Sequence, residues 1–483
     1  MMTKLHCGIL AAFMASAGAL TVGCDETTTT GTSSSSSSGS GGSAGEGGMA
    51  GNGGAAGGGA GGGGMGGTGG VGGGGSGGGM MAVPDLDTNL MWYGENRKAL
   101  DEMIDQVGVN SANYDPNKKP VAIYDWDNTV IKNDIGDIMF FYQVKNDKII
   151  QPPNKDWTTT SRYLTTEAAN ALAAACGSLA AAGMPLPTST NAACADELVA
   201  VYTTAKTTAG AAAYSGWNYR TMEPAYAWVA QLQAGFTTDE LKGFAKTALD
   251  AALAETEGAT QTVGTTSVNA WLRIYAQIAN LIDVMQKNGI DVWVISASSQ
   301  PIVEAFAEKV NIAADHVIGI RTVKDAMGKH TYDIVGCGSV PDGSGNGSGN
   351  PLGNTMISYI EGKRCWMNTV IYGESGAAAE MTNPDMAKRP VFGAGDSDTD
   401  ISFLHDATHL KLVINRNKNE IMCNGYANHD KKWIINPMFI QPKGQYAAGY
   451  PCSTTACKDE AGASVPCTNE LKEIIADQTD TVY

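Results

Sequence analysis

The chain has 483 residues, with 49 acidic against 32 basic side chains and a formal charge of −17. That balance, without any cluster of Lys or Arg, argues against a nucleic-acid-binding protein. After the leader no stretch approaches eighteen uninterrupted apolar residues, so no membrane-spanning helix is expected.

Lys4 followed by the apolar run Gly8 to Leu20 has the layout of a secretory signal, and the run is too short to cross a bilayer comfortably. Thr21 to Cys24 resembles a bacterial lipobox, with Thr21 where Leu is usual; the resemblance implies an acylated Cys24 as mature N-terminus, and plain secretion is the alternative. Residues 25–82 are Thr, Ser and Gly almost throughout and read as a flexible tether. The Gly run around Ser76 lacks the flanking strand, helix and Lys of a phosphate-binding loop.

Leu90 to Val107 has helical spacing at Leu100, Met103, Ile104 and Val107. Val121 to Thr129 (VAIYDWDNT) reads as a buried strand that delivers Asp125, Asp127 and Thr129 at its carboxyl end, where ligands sit in open α/β sheets. An ordinary turn is the competing reading. Residues 135–264 are Ala-rich and helical in character. They include Glu223 to Gly235, with Pro224 in the first turn and Gly235 at the end, and a capping box at Thr237 and Glu240. Such an inserted helical unit can close over a site as a cap.

Val268 to Lys287 is expected to be one periodic helix, with Trp271, Ile274, Tyr275 and Ile278 on one side and Gly289 past its end. A strand from Asp291 to Ser298 follows, then a helix over Val303 to Val310 opened by Pro301, then a strand at Val317 to Ile320. This order favours a parallel sheet. Gly336 to Asn354 is a Gly, Ser and Asn-rich loop, and Met356 to Cys365 is expected to form a hairpin turning near Glu361 and Gly362, ahead of a short helix. Pro390 to Asp400 is a strand running into Gly395, Asp396, Asp398 and Asp400; Leu410 to Ile414 supplies a further strand. The expected fold is α/β, a doubly wound parallel-sheet (Rossmann-like) core at 83–134 and 265–425 with the cap at 135–264 and a Cys-containing tail at 426–483.

Ten cysteines are present, and without Cys7 and Cys24 eight remain. An even number in an exported chain predicts disulfides, with Cys176–Cys194 and pairs among Cys452, Cys457 and Cys467 as local choices. Zinc is the weaker alternative because no Cys-x-x-Cys occurs.

Three strands thus end in polar residues: Asp125, Asp127 and Thr129; Ser296; and Asp396 and Asp400, with Lys363 before the last. Together these residues resemble the motifs of the haloacid dehalogenase superfamily phosphohydrolases. Asp-x-Asp-x-Thr matches Asp125, Asp127 and Thr129, the strand-end Ser matches Ser296, the motif Lys matches Lys363, and Gly-Asp-x-x-x-Asp matches Gly395, Asp396 and Asp400. The insertion is similar to the cap of the phosphoserine phosphatase branch, and Asp-x-Asp-Asn-Thr, Glu361-Gly362-Lys363 and the stretch from Glu223 to Trp228 are similar to exported bacterial phosphorylcholine phosphatases.

The resemblance implies a Mg²⁺-dependent phosphomonoesterase. Asp125 would be the nucleophile and Asp127 the general acid and base. Asp125, the backbone carbonyl of Asp127, and Asp396 would hold the metal, with Asp400 orienting a metal-bound water or Lys363. Thr129, Ser296 and Lys363 would bind the phosphoryl oxygens. Lys324, Lys329 and Lys388 compete with Lys363, Asp398 reads as a surface residue, and Asp400 alone can be a helix cap. The aromatics of the insertion, Trp217, Tyr219, Tyr226 and Trp228 among them, with Glu223 and Asp137 as carboxylates, offer a cage for a quaternary ammonium such as choline, against the alternative that these aromatics are core. Expected partners are therefore a small phosphomonoester, no nucleic acid, and a membrane only through Cys24. A surface binding lipoprotein without turnover is the rival function.

Overall fold

The computed structural model describes residues 83–338 and 355–483. The secretory leader, Cys24, the 25–82 tether and residues 339–354 of the Gly-rich loop lie outside the described residues.

Six strands form one parallel sheet: β1 (Val121–Tyr124), β2 (Asp291–Ser299), β3 (Val317–Ile320), β4 (Phe392–Gly395), β5 (Leu410–Asn415) and β6 (Trp433–Pro437). Their order is β6-β5-β4-β1-β2-β3. Helices cover both faces of such a sheet, which is why β1, β3, β4 and β5 are buried at every position and read as continuous apolar runs. The order reverses between β1 and β4, and the crevice at that switch point is where doubly wound folds bind ligands. Asp125 follows β1 and Asp396 follows β4, so both acids stand at the crevice.

Several expected boundaries move. The first helix, α1, is Asn96–Val107 rather than starting at Leu90, because Gly94 turns the chain at φ +51°. The helix before β2, α7 (Ala276–Lys287), begins only at Ala276. Residues 266–269 instead pair antiparallel with 260–263, and Arg273 and Ile274 pair with Lys132 and Ile131. Trp271 and Ile274 fit a helical period, but here the pairing partners, supplied by other segments, win over periodicity. Strand β6 lies inside the segment expected to be tail, and completes the sheet.

The inserted segment holds α2 (Ile135–Lys145), α3 (Thr166–Cys176), α4 (Ala192–Thr204), α5 (Pro224–Gln231) and α6 (Thr238–Ala254). The capping box of Thr237 and Glu240 is present at α6, a device contributing about 1 kcal/mol. Helix α6 packs on α8 (Gln300–Ala307), the helix that follows β2, so its apolar face joins the core rather than a separate lid.

All eight remaining cysteines pair: Cys176–Cys194, Cys337–Cys365, Cys423–Cys452 and Cys457–Cys467. The pair Cys423–Cys452 ties the tail to the core, and the pairing leaves none of these eight for zinc. No helix of the described residues is long and apolar enough to cross a membrane.

Candidate active site

Asp125 sits just past β1, its backbone N–H donating to the carbonyl of Ala394 on β4. Its side chain is buried between two donors: Lys363 Nζ at 2.6 Å on Oδ1 and Thr129 Oγ1 at 2.9 Å on Oδ2. Burial, then the neighbouring Asp400, push its carboxyl up, and Lys363 pulls it back down. Thr129 also lies 3.1 Å from Asp396 Oδ1, which brings the ends of β1 and β4 together.

Asp127 points elsewhere. Its Oδ1 accepts the backbone N–H of Ile135 at 2.7 Å, and its Oδ2 accepts Ser298 Oγ at 2.8 Å and Ser296 Oγ at 3.3 Å. It therefore sits at the N-terminus of α2, where Asp134 caps Gly136 and Asp137. Burial and Asp134 together raise its carboxyl well above the ordinary range. Trp126 between the two acids packs edge-on against Phe306, and Asn128, at φ +62°, accepts the N–H of Asn133.

Lys363 is not on a hairpin. Glu361–Val370 forms a helix, α9, whose first turn carries Lys363 fully buried. Ile360 enters it at φ +42°, held by Ser402 Oγ on its carbonyl. Gly362 allows the approach, since a Cβ there would lie 1.8 Å from the carbonyl oxygen of Ile357. Burial opposes the Lys363 charge, yet Asp125 and Asp400, each 2.6 Å away, hold the ammonium above its ordinary value. Of its three rivals, Lys324 is exposed, Lys388 pairs with Glu374, and Lys329 flanks a surface turn with Asp325.

The fourth motif folds back on itself. Asp400 Oδ2 accepts the backbone N–H groups of Asp396 and Ser397, and a Cβ at Gly395 would strike Asp400 at 2.5 Å. Asp398 is not a surface residue. It is half-buried and accepts the N–H of Ile421, which anchors the helix Asn419–Ala427 behind the loop.

Asp125, Asp396 and Asp400 each bring one oxygen within 4.8 Å of the others, all buried. Three carboxylates against Lys363 and Arg416 leave negative charge that a hard divalent cation would offset, and oxygen donors suit such an ion. Lone-pair accounting separates the three. Asp400 spends its oxygens on Lys363, Thr399 and two backbone amides, whereas Asp125 accepts from Lys363, Asp396 accepts from Arg416, and the two share the one Thr129 hydroxyl, so both keep capacity for a metal.

Arg416 was not foreseen. It follows β5, and its Nη1 lies 2.5 Å from Asp396 Oδ2. Only its position at a strand end could have flagged it. Ser298 and Asp134 were likewise missed as partners of Asp127, although Ser298 was visible as a second strand-end hydroxyl.

The expected ammonium cage divides. Trp228 is completely buried, donates Nε1 to Thr160 Oγ1 at 2.9 Å and packs on Tyr214, so it is core. Trp217 is half-buried and packs against the same apolar cluster. Glu223 caps α5 and is pushed by burial up to about 7. Around it stand Tyr219, Tyr226 and Tyr359, whose hydroxyl groups feel its charge, with ring centroids 6.4 and 6.2 Å from Tyr359 to the other two. Tyr226 also feels Asp134, Asp137 and Arg416, so this group borders the carboxylate centre. Asp137 is pushed up to about 7 by burial and by Asp134, and accepts Tyr202 Oη at 2.6 Å.

The disulfide Cys337–Cys365 reaches α9 two residues beyond Lys363. Replacing both cysteines by Ser is therefore expected to lower kcat for whatever reaction the site performs, while the same change at Cys457 and Cys467 lowers stability by about 3 kcal/mol with little effect on kcat. Paired kinetics and denaturant titrations check this.

The haloacid dehalogenase-like hydrolase profile matches residues 212–405. The phosphorylcholine phosphatase of Pseudomonas aeruginosa is 28% identical over 205 residues, which are 40% of this chain and 55% of that protein. The chain thus matches about half the length of this curated relative. A crystal structure of a conserved protein of unknown function from Anaerococcus prevotii shares the fold at a TM-score of 0.54 and 20% identity, over 74% of this chain and 94% of that one. A substrate-bound phosphoserine phosphatase complex aligns at a TM-score of 0.27 and 12% identity, over 62% of this chain and 86% of that one. The profile match spans Ser296, Lys363 and Asp396, so over residues 212–405 this chain is similar to haloacid dehalogenase-like hydrolases, and the parallel sheet with its switch-point acids agrees with that likeness.

Proposed function

We propose that the protein is an exported phosphomonoesterase that works through an aspartyl-phosphate. The observation that carries this is the division of labour between Asp125 and Asp127: one is held by a lysine and a threonine, the other by serines and a helix N-terminus. In the first half, Asp125 attacks phosphorus, the bond to the leaving oxygen breaks, and Asp127 gives that oxygen its proton. In the second, Asp127 takes a proton from water as the water displaces Asp125, which releases phosphate. Lys363 and Ser296 stabilise charge on the phosphoryl oxygens. Asp125 and Asp396 would hold Mg²⁺, which supplies charge neutralisation between carboxylate and phosphate. The four disulfides support export to an oxidising compartment, with lipid attachment at Cys24 as the anchor.

The decisive assay is hydrolysis of a phosphomonoester panel by the full chain with and without Mg²⁺. Turnover that survives removal of all divalent metal would sink the mechanism. A binding readout accompanies it: Mg²⁺ at about a hundredfold excess over Kd is expected to stabilise the protein by about 3 kcal/mol. Asp396→Asn should lose most of that stabilisation in thermal denaturation.

The substrate we favour is phosphocholine, with Glu223 and the tyrosines Tyr219, Tyr226 and Tyr359 taking the ammonium group. A carboxylate raised to about 7 is neutral below that pH and charged above it. The KM for phosphocholine is therefore expected to fall as pH rises through 7, whereas KM for p-nitrophenyl phosphate lacks this limb. Glu223→Gln should flatten the profile, and Tyr226→Ala should raise KM for phosphocholine up to about 30-fold. Equal effects on both substrates would remove the case for choline.

A further inference from the structure

A cavity of about 270 Å³ lies between the start of the helix Gln300–Ala307 and the hairpin 322–334, lined among others by Arg321, Lys324, Gln300, Glu304 and Pro301. None of its lining residues belongs to the carboxylate centre.

Arg321 is the distinctive group. Its Nε donates to Gln300 Oε1 at 3.0 Å, and its guanidinium lies 4.8 Å from the Trp366 ring centroid. Gln300 is itself fixed, since Oε1 also accepts the N–H of Gly319 and Nε2 donates to Glu304 and to the carbonyl of Val317. The two terminal amino groups of Arg321 meet no acceptor among the described residues. Burial pulls Arg321 below the ordinary arginine value, with Glu304 the one charge that opposes this. Glu304 is held instead by Lys242 Nζ at 2.5 Å and by Gln300, and it makes no hydrogen bond or ion pair with Arg321.

The cavity is thus lined by two cations, Arg321 and Lys324, and by one carboxylate, Glu304, that already pairs with Lys242, on a chain whose overall charge is −17. The nearby His330 adds no charge: burial pulls it to about 4, and its ring nitrogens are taken by the hydroxyls of Thr322 and Thr238. A half-buried guanidinium fork, oriented on one edge and open on the other, matches the two oxygens of a carboxylate or phosphate. The volume corresponds to about nine water molecules, room for a few-atom organic body beside the oxyanion, and Pro301 and Val335 provide apolar wall for it.

We propose that this cavity is a second, non-catalytic anion site that takes a small organic acid or phosphate ester through Arg321 and Lys324. Calorimetric titration of the metal-free full chain with malonate and, separately, with glycerol phosphate tests it and distinguishes carboxylate from phosphate. At least one is expected to bind one-to-one, about tenfold or more weakly in Arg321→Gln, several-fold more weakly in Lys324→Gln, and unchanged in Ser296→Ala. Lys324 is exposed, so that variant keeps the test valid if Arg321→Gln does not fold. Absence of binding by either probe, or affinity that follows Ser296 and ignores both basic residues, would overturn the proposal.

Discussion

Asp125→Asn is expected to lower kcat for every phosphomonoester by at least about 10⁴-fold while circular dichroism shows the fold intact. The amide keeps the shape and can still meet Thr129, but it is not a nucleophile toward phosphorus. Retained turnover would show that Asp125 is not the nucleophile, whatever the substrate. Asp127→Asn separates the two acids. It should slow substrates with poor leaving groups far more than p-nitrophenyl phosphate, whose departing oxygen needs little protonation.

Lys363→Met is expected to cost about 3–5 kcal/mol of stability at neutral pH, because it leaves Asp125 and Asp400 buried without the cation they share. The loss depends on pH in a definite direction. Both carboxyls have folded-state pKa values raised above the ordinary value of about 4. Removing Lys363 raises both carboxyls further, so below their wild-type folded-state values they are neutral in both folded proteins and the deficit is small; it grows as pH rises through those values, where the lysine-paired carboxyls ionise and the unpaired ones do not. Denaturant unfolding across this range measures it. At neutral pH kcat/KM should also fall by about 10²–10³-fold, since a charge on the phosphoryl oxygens is lost. Unchanged stability would mean that Lys363 does not sit between the two acids.

The parallel core was legible in the amino-acid pattern, because strands buried on both faces must be continuous apolar runs. The same pattern also marked Asp125, Asp127, Ser296 and Asp396 as candidate site residues, because each stands at the end of such a run. The capping box at Thr237 and the proline-opened α5 were legible for the same reason: their signals lie within one helical turn.

Contacts between residues distant in the chain came from the fold alone. Lys363 read as one of four lysines until α9 brought it to Asp125, 238 residues away. Arg416 became part of the site only through Asp396, and of the aromatics expected around Glu223 the fold kept Tyr219 and Tyr226 there, added Tyr359 and sent Trp228 into the core. Trp228 could not be told from a ligand-facing ring by sequence, since a buried indole with an internal acceptor and an exposed one are coded alike. Local pattern encodes burial and backbone conformation, whereas the partner of a charged or aromatic side chain is set by which strand ends and helix starts the sheet order brings together.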